Sequence, residues 1–331
     1  MSPVTDPDLD AEYRQLREEC GLVDRSDRCW IEVSGPDAAE YLQSQVTNET
    51  EELAAGSGVY AALLDRKGHL QADMRILRLA DDRFLVDTEQ AAGPALLKHL
   101  TMYKIGRKVD VETTERALFS LIGPASFEVT GLAPGDEHDF SEATIAGADC
   151  LVVATAFGLD VISAPEAREA VRAQLVADRA IPVSADAADL IRVERGRPRF
   201  AVDMTAANMP AEAGIVDRAI SFTKGCYIGQ EPVARLHYKG RPNRHLRGLK
   251  LAGPAATGDK VRLGERELGE VGTAVLSPAT GRIALAILRK EAEPGTTVTI
   301  EADHGEIDAE VVELPFVEGP NEGARSVARG W

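Results

Sequence analysis

Apolar and polar residues alternate over Cys29-Trp-Ile-Glu-Val-Ser34 as in a strand. Gly35-Pro36 then turns the chain into Ala39, Leu42 and Val46 at helical spacing. The same grammar recurs at Gly123-Pro124, 88 residues on, with a strand over Ala117 to Ile122 before it and a short helix over Phe127 to Gly131 after it, stopped by glycine. Between these elements, strands over Val59 to Leu64, Leu70 to Leu79 and Arg83 to Val86 are joined by turns at Arg66-Lys67-Gly68 and Asp81-Asp82. They lead into a helix that gathers Leu96, Leu97, Leu100 and Tyr103. After the second Gly-Pro element, Cys150 to Ala156 and Leu159 to Ile162 read as a hairpin, and Pro165 opens a helix with Val171 and Leu175 inward. Order recurs together with composition, which points to two related α+β halves.

Ala185 to Arg195 reads as a further helix, ended by Gly196 and Pro198. From about His245 the pattern changes to short period-two runs: Leu246 to Leu251, Lys260 to Leu263, Gly269 to Leu276, Arg282 to Ile287, Thr297 to Ile300 and Ile307 to Val312. Glycine and proline turns separate them, the signature of a small antiparallel barrel or sandwich. Pro315 to Trp331 reads as a tail in which Phe316 and Trp331 are the residues able to dock.

A chain of 331 residues exceeds what one core serves, so two or three domains are expected. Its formal charge of -17 disfavours a protein that coats nucleic acid or an anionic membrane. Against that background Pro232 to Gly258 contains no acidic residue, which marks a local anion site. Cys20, Cys29, Cys150 and Cys226 lie far apart, and Met1 to Asp10 carries no apolar signal core, so a reducing cytoplasm is expected. No apolar run suggests a membrane span, and the six histidines form no ligand cluster, so no metal is expected.

No dinucleotide, P-loop or G-x-S-x-G motif occurs, which leaves the chemistry to Arg192 through Gly240. There Lys224-Gly-Cys-Tyr-Ile-Gly-Gln-Glu231 sets the Cys226 thiol among cations that favour a thiolate, Lys224 and Arg235 foremost. The same residues have plainer readings. Cys226 can be a small buried hydrophobe, Gly225, Gly229 and Gly240 can supply turns, Gln230 and Glu231 can satisfy backbone donors, and the basic run from Arg235 can be a solvated strand edge.

Taken together, Lys224 to Glu231 with Arg235, Lys239 and Gly240 resembles the signature of the YgfZ-type folate-binding proteins, relatives of the glycine-cleavage T-protein (GcvT, aminomethyltransferase). Further resemblance lies in Gly21 to Ser26, Gly35-Pro-Asp-Ala38, Leu42-Gln43, Thr47-Asn48, Lys67-Gly68 with Asp73, Arg192 to Gly196 and Met209 to Gly214. The resemblance implies two pseudo-repeated ferredoxin-like α+β domains that exchange segments, and a C-terminal antiparallel β-barrel, arranged as a three-domain ring around tetrahydrofolate. The implied boundaries are 1–115, 116–243 and 244–317, with a tail over 318–331. Glu194 takes the place of the glutamate that bonds the pterin, a job suited to a carboxylate that can accept two parallel N–H bonds. Lys224, Tyr227 and Arg235 complete the expected folate site, and Cys226 is expected in transient thiol chemistry beside it.

T-proteins carry an acidic pair before the second Gly-Pro element, where this chain has Thr114 and Glu115; Glu115 is the candidate proton carrier. The balance favours the YgfZ branch, which implies iron–sulfur cluster assembly or repair in client enzymes, tRNA-modifying ones among them. The alternative is a tetrahydrofolate-dependent aminomethyltransferase or demethylase. Direct RNA binding through residues 235 to 250 ranks last, because Tyr238 is the only aromatic there to stack on a base.

Overall fold

After α1 (Pro7–Glu18), the chain forms β1 (Gly21–Asp24), β2 (Cys29–Ser34), α2 (Ala38–Gln45), β3 (Gly58–Leu64), β4 (Leu70–Ala80), β5 (Arg83–Thr88), α3 (Gly93–Tyr103) and β6 (Asp110–Thr114). The order then recurs as β7 (Ala117–Ile122), α4 (Ser126–Thr130), β8 (Phe140–Ile145), β9 (Ala148–Thr155), β10 (Gly158–Ser163), α5 (Arg168–Ala177) and the short β11 (Ile181–Pro182). The computed structural model describes residues 7–132 and 135–318, and the chain falls into two units. Of the described residues, one holds those within 14–185 and 205–241; the other holds 7–13, 186–204 and 242–318.

The two Gly-Pro turns do the same job in the two halves. β2 ends at Ser34 and α2 begins at Ala38, just as β7 ends at Ile122 and α4 begins at Ser126. Gly35 has φ +119 and Gly123 φ +125, and a Cβ on either would run into a backbone carbonyl, that of Lys108 or Glu19. Only glycine fits there.

The first sheet has the order β3-β4-β5-β2-β6, and the second has β11-β1-β7-β10-β9-β8. β3-β4-β5-β2 corresponds to β8-β9-β10-β7, the position β6 holds beside β2 is held beside β7 by β1, a strand from near the start of the chain, also antiparallel, and β11 adds a sixth, parallel strand beyond β1. Cross-strand register puts Tyr60, Asp73, Arg75, Leu77, Leu85, Asp87 and Trp30 on one face of the first sheet. Half of that face is apolar: Trp30, Leu77 and Leu85 pack with Leu118, Val153 and Ile162 of the second sheet. The other half is charged and is described below. Helices α2 and α3 contact the first sheet, with Leu42, Leu96 and Leu100 fully buried. Two members of the inward set expected on α3 lie elsewhere, Leu97 half-buried and Tyr103 exposed at its last turn. On the second sheet, Val171 and Leu175 of α5 close a core with Phe119, Leu121 and Val161.

The smaller unit contains most of α6 (Ala185–Glu194), while α7 (Val216–Ala219) and α8 (Gln230–Lys239) belong to the larger one. β12 (Arg244–Leu251), β13 (Lys260–Leu263), β14 (Arg266–Ser277), β15 (Gly281–Arg289), β16 (Thr297–Ala302) and β17 (Gly305–Val312) close an antiparallel barrel in the order β12-β15-β14-β13-β16-β17. Its core is Leu249, Val261, Leu285-flanking Ala284 and Ala286, Ile300 and Val311. Phe316 of the expected tail packs with Val193, Ile283 and Leu285, and Trp331 lies outside the described residues. No helix among the described residues is long and apolar enough to cross a membrane.

Candidate functional site

Lys224 is used differently from the sequence expectation. Its ammonium is buried and donates to three backbone carbonyls, Gln43 O, Val46 O and Asn48 O, each at 2.7 Å. These carbonyls lie at and just after the C-terminal end of α2, where helical partners run out, so the lysine serves as a helix C-cap. An ammonium has three protons, and all three are engaged. Burial pushes its pKa down to about 8, against the pull of Glu49 and Glu51.

The rest of the motif divides between packing and exposure. Tyr227 is buried, its ring 5.3 Å from the Lys224 ammonium, and burial pushes its pKa up to about 12. Its hydroxyl has no hydrogen-bond partner among the described residues. Gly229 is the left-handed N-cap of α8 at φ +85, where a Cβ would lie 2.5 Å from Asp65 O. Gln230 is half-buried and Glu231 exposed in the first turn of α8. Arg235, Lys239 and Gly240 are exposed on that helix and at its end, so the basic run begins as a helix and not as the strand edge of the plainer reading. Gly225 has open space around it, and Cys226 is exposed, whereas Cys20 and Cys150 are buried.

Glu194 lies in the other unit, fully buried. Ser277 Oγ donates to its Oε1 at 2.5 Å and Tyr13 Oη to its Oε2 at 3.1 Å. Each oxygen has a second lone pair, so these hydroxyls leave acceptor capacity on both. Arg192, two residues back, donates to Asp203 Oδ2 and Thr273 Oγ1 at 2.7 Å each and to Asp189 Oδ1 at 2.9 Å. The Arg-Val-Glu motif thus ties α6 to β14 of the barrel.

Glu115 is exposed between β6 and β7 and lines a cleft of about 690 Å³ together with Arg28, Cys29, Trp30, Arg116 and Arg168. Arg28 joins that cleft to the buried charges of the larger unit.

Those charges form a cluster that in the sequence shows only as separate strand residues. Arg75 on β4 donates to Asp87 Oδ2 on β5 and to Asp160 Oδ2 on β10, both at 2.6 Å, and so bridges the two sheets. Arg28 donates to Asp87 Oδ1 at 2.5 Å and to Glu89 at 2.7 Å, and Ser120 Oγ donates to Asp160 Oδ1 at 2.6 Å. Burial works against the charge of Asp87, but Arg75 and Arg28 outweigh it and hold the carboxyl down to about 2. Asp73, two residues before Arg75 on the same strand face, has the opposite balance. Its burial raises the pKa more than the Tyr60 hydrogen bond and Arg28 lower it. Tyr60 Oη donates to Asp73 Oδ2 at 2.7 Å, and Asp73 Oδ1 is buried with no partner among the described residues.

Around Tyr60 stand residues from later in the chain. The Arg218 guanidinium lies 4.7 Å from the Tyr60 ring centroid and donates to Glu137 Oε1 at 2.8 Å. His138 follows, its Nδ1 buried without a partner among the described residues, as is the Nε of Arg218. Each such atom is unusual, since buried polar groups are nearly always satisfied in folded proteins. Asp73 enters the sequence reading only as a point of resemblance. The signal for more is an acid and an arginine at i and i+2, both on the inward face of a strand otherwise apolar there.

The comparisons with known proteins agree with this architecture. Residues 3–224 match the GCVT N-terminal domain, and residues 244–318 match the glycine cleavage T-protein C-terminal barrel domain. The chain is 31% identical over 340 residues to a probable aminomethyltransferase of Natronomonas pharaonis, covering 96% of this chain and 92% of that one. It is 29% identical over 329 residues to an aminomethyltransferase of Rubrobacter xylanophilus, covering 95% and 87%. The crystal structure of glycine cleavage system aminomethyltransferase T from Bartonella henselae shares the fold, with a TM-score of 0.84 at 24% identity over 96% of this chain and 92% of that chain. With both of its parts matched in order by the two family domains, the chain belongs to the glycine cleavage T-protein family.

Proposed function

We propose that this chain binds tetrahydrofolate at the half-buried Tyr60–Asp73 cluster and acts as a folate-dependent one-carbon transferase of the aminomethyltransferase type. Aminomethyltransferases of the family use tetrahydrofolate, and the relatives named above carry that enzyme name. The observation that carries the reading is the Asp73 Oδ1 left without a partner among the described residues, with the unpartnered Nε of Arg218 on the guanidinium that stacks on Tyr60, and His138 Nδ1 next along from Glu137. A reduced pterin presents N–H donors and ring acceptors along its edges, the kinds of partner that an imidazole nitrogen, a guanidinium N–H and a carboxyl able to exchange a proton lack here. The group, when bound, supplies the nitrogen that takes up the one-carbon unit.

The residues of the chain do the rest. Asp73, with a pKa raised by burial, can take and hold a proton at Oδ1 while Tyr60 fixes its other oxygen. Arg75, clamped between Asp87 and Asp160, holds that part of β4 rigid. The test is methylenetetrahydrofolate formation from tetrahydrofolate and an aminomethyl thioether donor. Wild type is expected to form the product, and Asp73→Asn to slow it by about 100-fold or more, the usual weight of a positioned acid or base. A folded wild type that forms none would defeat the enzyme reading.

Exposed Cys226 within the YgfZ-type signature favours a second reading, in which the folate-bound protein supports iron–sulfur cluster maturation through that thiol. Its test is separate. Cys226→Ala must fail to restore cluster-enzyme activity in a deletion strain that the wild-type gene rescues.

A further inference from the structure

We propose that His138 is a ligand-binding residue of the Tyr60–Asp73 site, accepting a hydrogen bond at Nδ1 from an N–H of a reduced pterin; this rests on the folate reading above. His138 has φ +78, in the left-handed region that few non-glycine residues occupy and that recurs where function demands a fixed side-chain direction. The turn is held on both sides. His138 N donates to Ala154 O at 2.8 Å, and Phe140 N donates to Gly56 O at 2.8 Å, just before β3. The second half of the larger unit thereby delivers an imidazole to residues of the first half.

The ring is only 14% exposed, and Arg75, Asp87, Glu137 and Arg218 are the charges that act on it. Burial pushes its pKa down to about 4, beyond what Glu137 restores, so the ring is neutral at neutral pH. A neutral imidazole donates from one nitrogen and accepts at the other. Nε2 lies 3.8 Å from Glu137 Oε1, beyond hydrogen-bond distance, and in the tautomer with the proton on that side the Nδ1 lone pair is left for a donor. No described residue supplies that donor. Were the residue needed only for its turn, glycine or asparagine would serve equally, and neither requires an imidazole to be buried among charges.

The same two residues make the test, since both tolerate the backbone and so keep the fold. Calorimetric titration with tetrahydrofolate should show Kd about tenfold weaker in His138→Gly, the weight of one good hydrogen bond, and within about threefold of wild type in His138→Asn, which keeps an acceptor near Nδ1. Nitrogen NMR of the wild-type ring should show the Nε2–H tautomer and a shift at Nδ1 when tetrahydrofolate is added. Wild-type affinity in His138→Gly would overturn the inference alone. So would an equal loss in both variants, which would mark the ring as packing. No binding by folded wild type would overturn the folate reading and this inference with it.

Discussion

The Tyr60 hydroxyl donates to one oxygen of Asp73 at 2.7 Å, and the other oxygen of that carboxyl is buried with no partner among the described residues. One donor to a carboxylate that burial has already disfavoured leaves its pKa raised, and the hydroxyl is the foremost influence that lowers it. Tyr60→Phe should therefore raise it further and move the acidic limb of the activity profile to higher pH. A pH–rate profile unchanged in position would remove Asp73 from the proton chemistry.

The same imbalance has a stability signature. A carboxyl whose folded pKa exceeds its unfolded one stabilises the fold below the unfolded value and loses that contribution as pH rises through the folded value. Asp73→Asn removes the buried charge, so its thermal midpoint should exceed wild type at pH 7.5 and approach it near pH 4. Melting curves at the two pH values check this.

Asp87 behaves in the opposite sense. Held down to about 2 by Arg75 and Arg28, it contributes stability that is present above the ordinary carboxylate range and lost as pH falls from about 4 through about 2. The contribution at neutral pH is on the order of 2 kcal/mol. Arg75→Met leaves Asp87 and Asp160 without their shared partner and should cost about 3–5 kcal/mol in urea unfolding. A loss under about 1 kcal/mol would show that water or Arg28 replaces the guanidinium.

Two neighbours in the signature motif should separate cleanly. Lys224→Met removes three hydrogen bonds from buried carbonyls and should destabilise the ligand-free protein by about 2–3 kcal/mol or more. Cys226→Ala, at an exposed position, should change stability by no more than about 0.5 kcal/mol. Chemical denaturation of the two variants decides whether the lysine is a helix cap or a cation kept for the thiol.

Much of this architecture is legible in the sequence because its signals are local. The period-two runs give β12 to β17, and Gly35-Pro36 and Gly123-Pro124 mark the internal repeat, since a strand, a positive-φ glycine and a helix start leave the same trace twice. Other elements left no such trace. β6 reads Asp-Val-Glu-Thr-Thr, a polar edge strand with little alternation to detect, and β1 pairs with residues about a hundred positions away. Lys224 is visible as a cation, but three carbonyls at and just after the end of α2, some 180 residues earlier, decide what that cation does. Asp73, Tyr60, Arg218 and His138 come from separate stretches, and tertiary packing alone brings them together.

The most direct test of the account is calorimetric titration of the purified protein with tetrahydrofolate, with Asp73→Asn and Cys226→Ala run beside wild type. The Tyr60–Asp73 site predicts saturable one-to-one binding, weakened at least about tenfold in Asp73→Asn and unchanged in Cys226→Ala. Absence of binding by folded wild type, or wild-type affinity in Asp73→Asn, would contradict it.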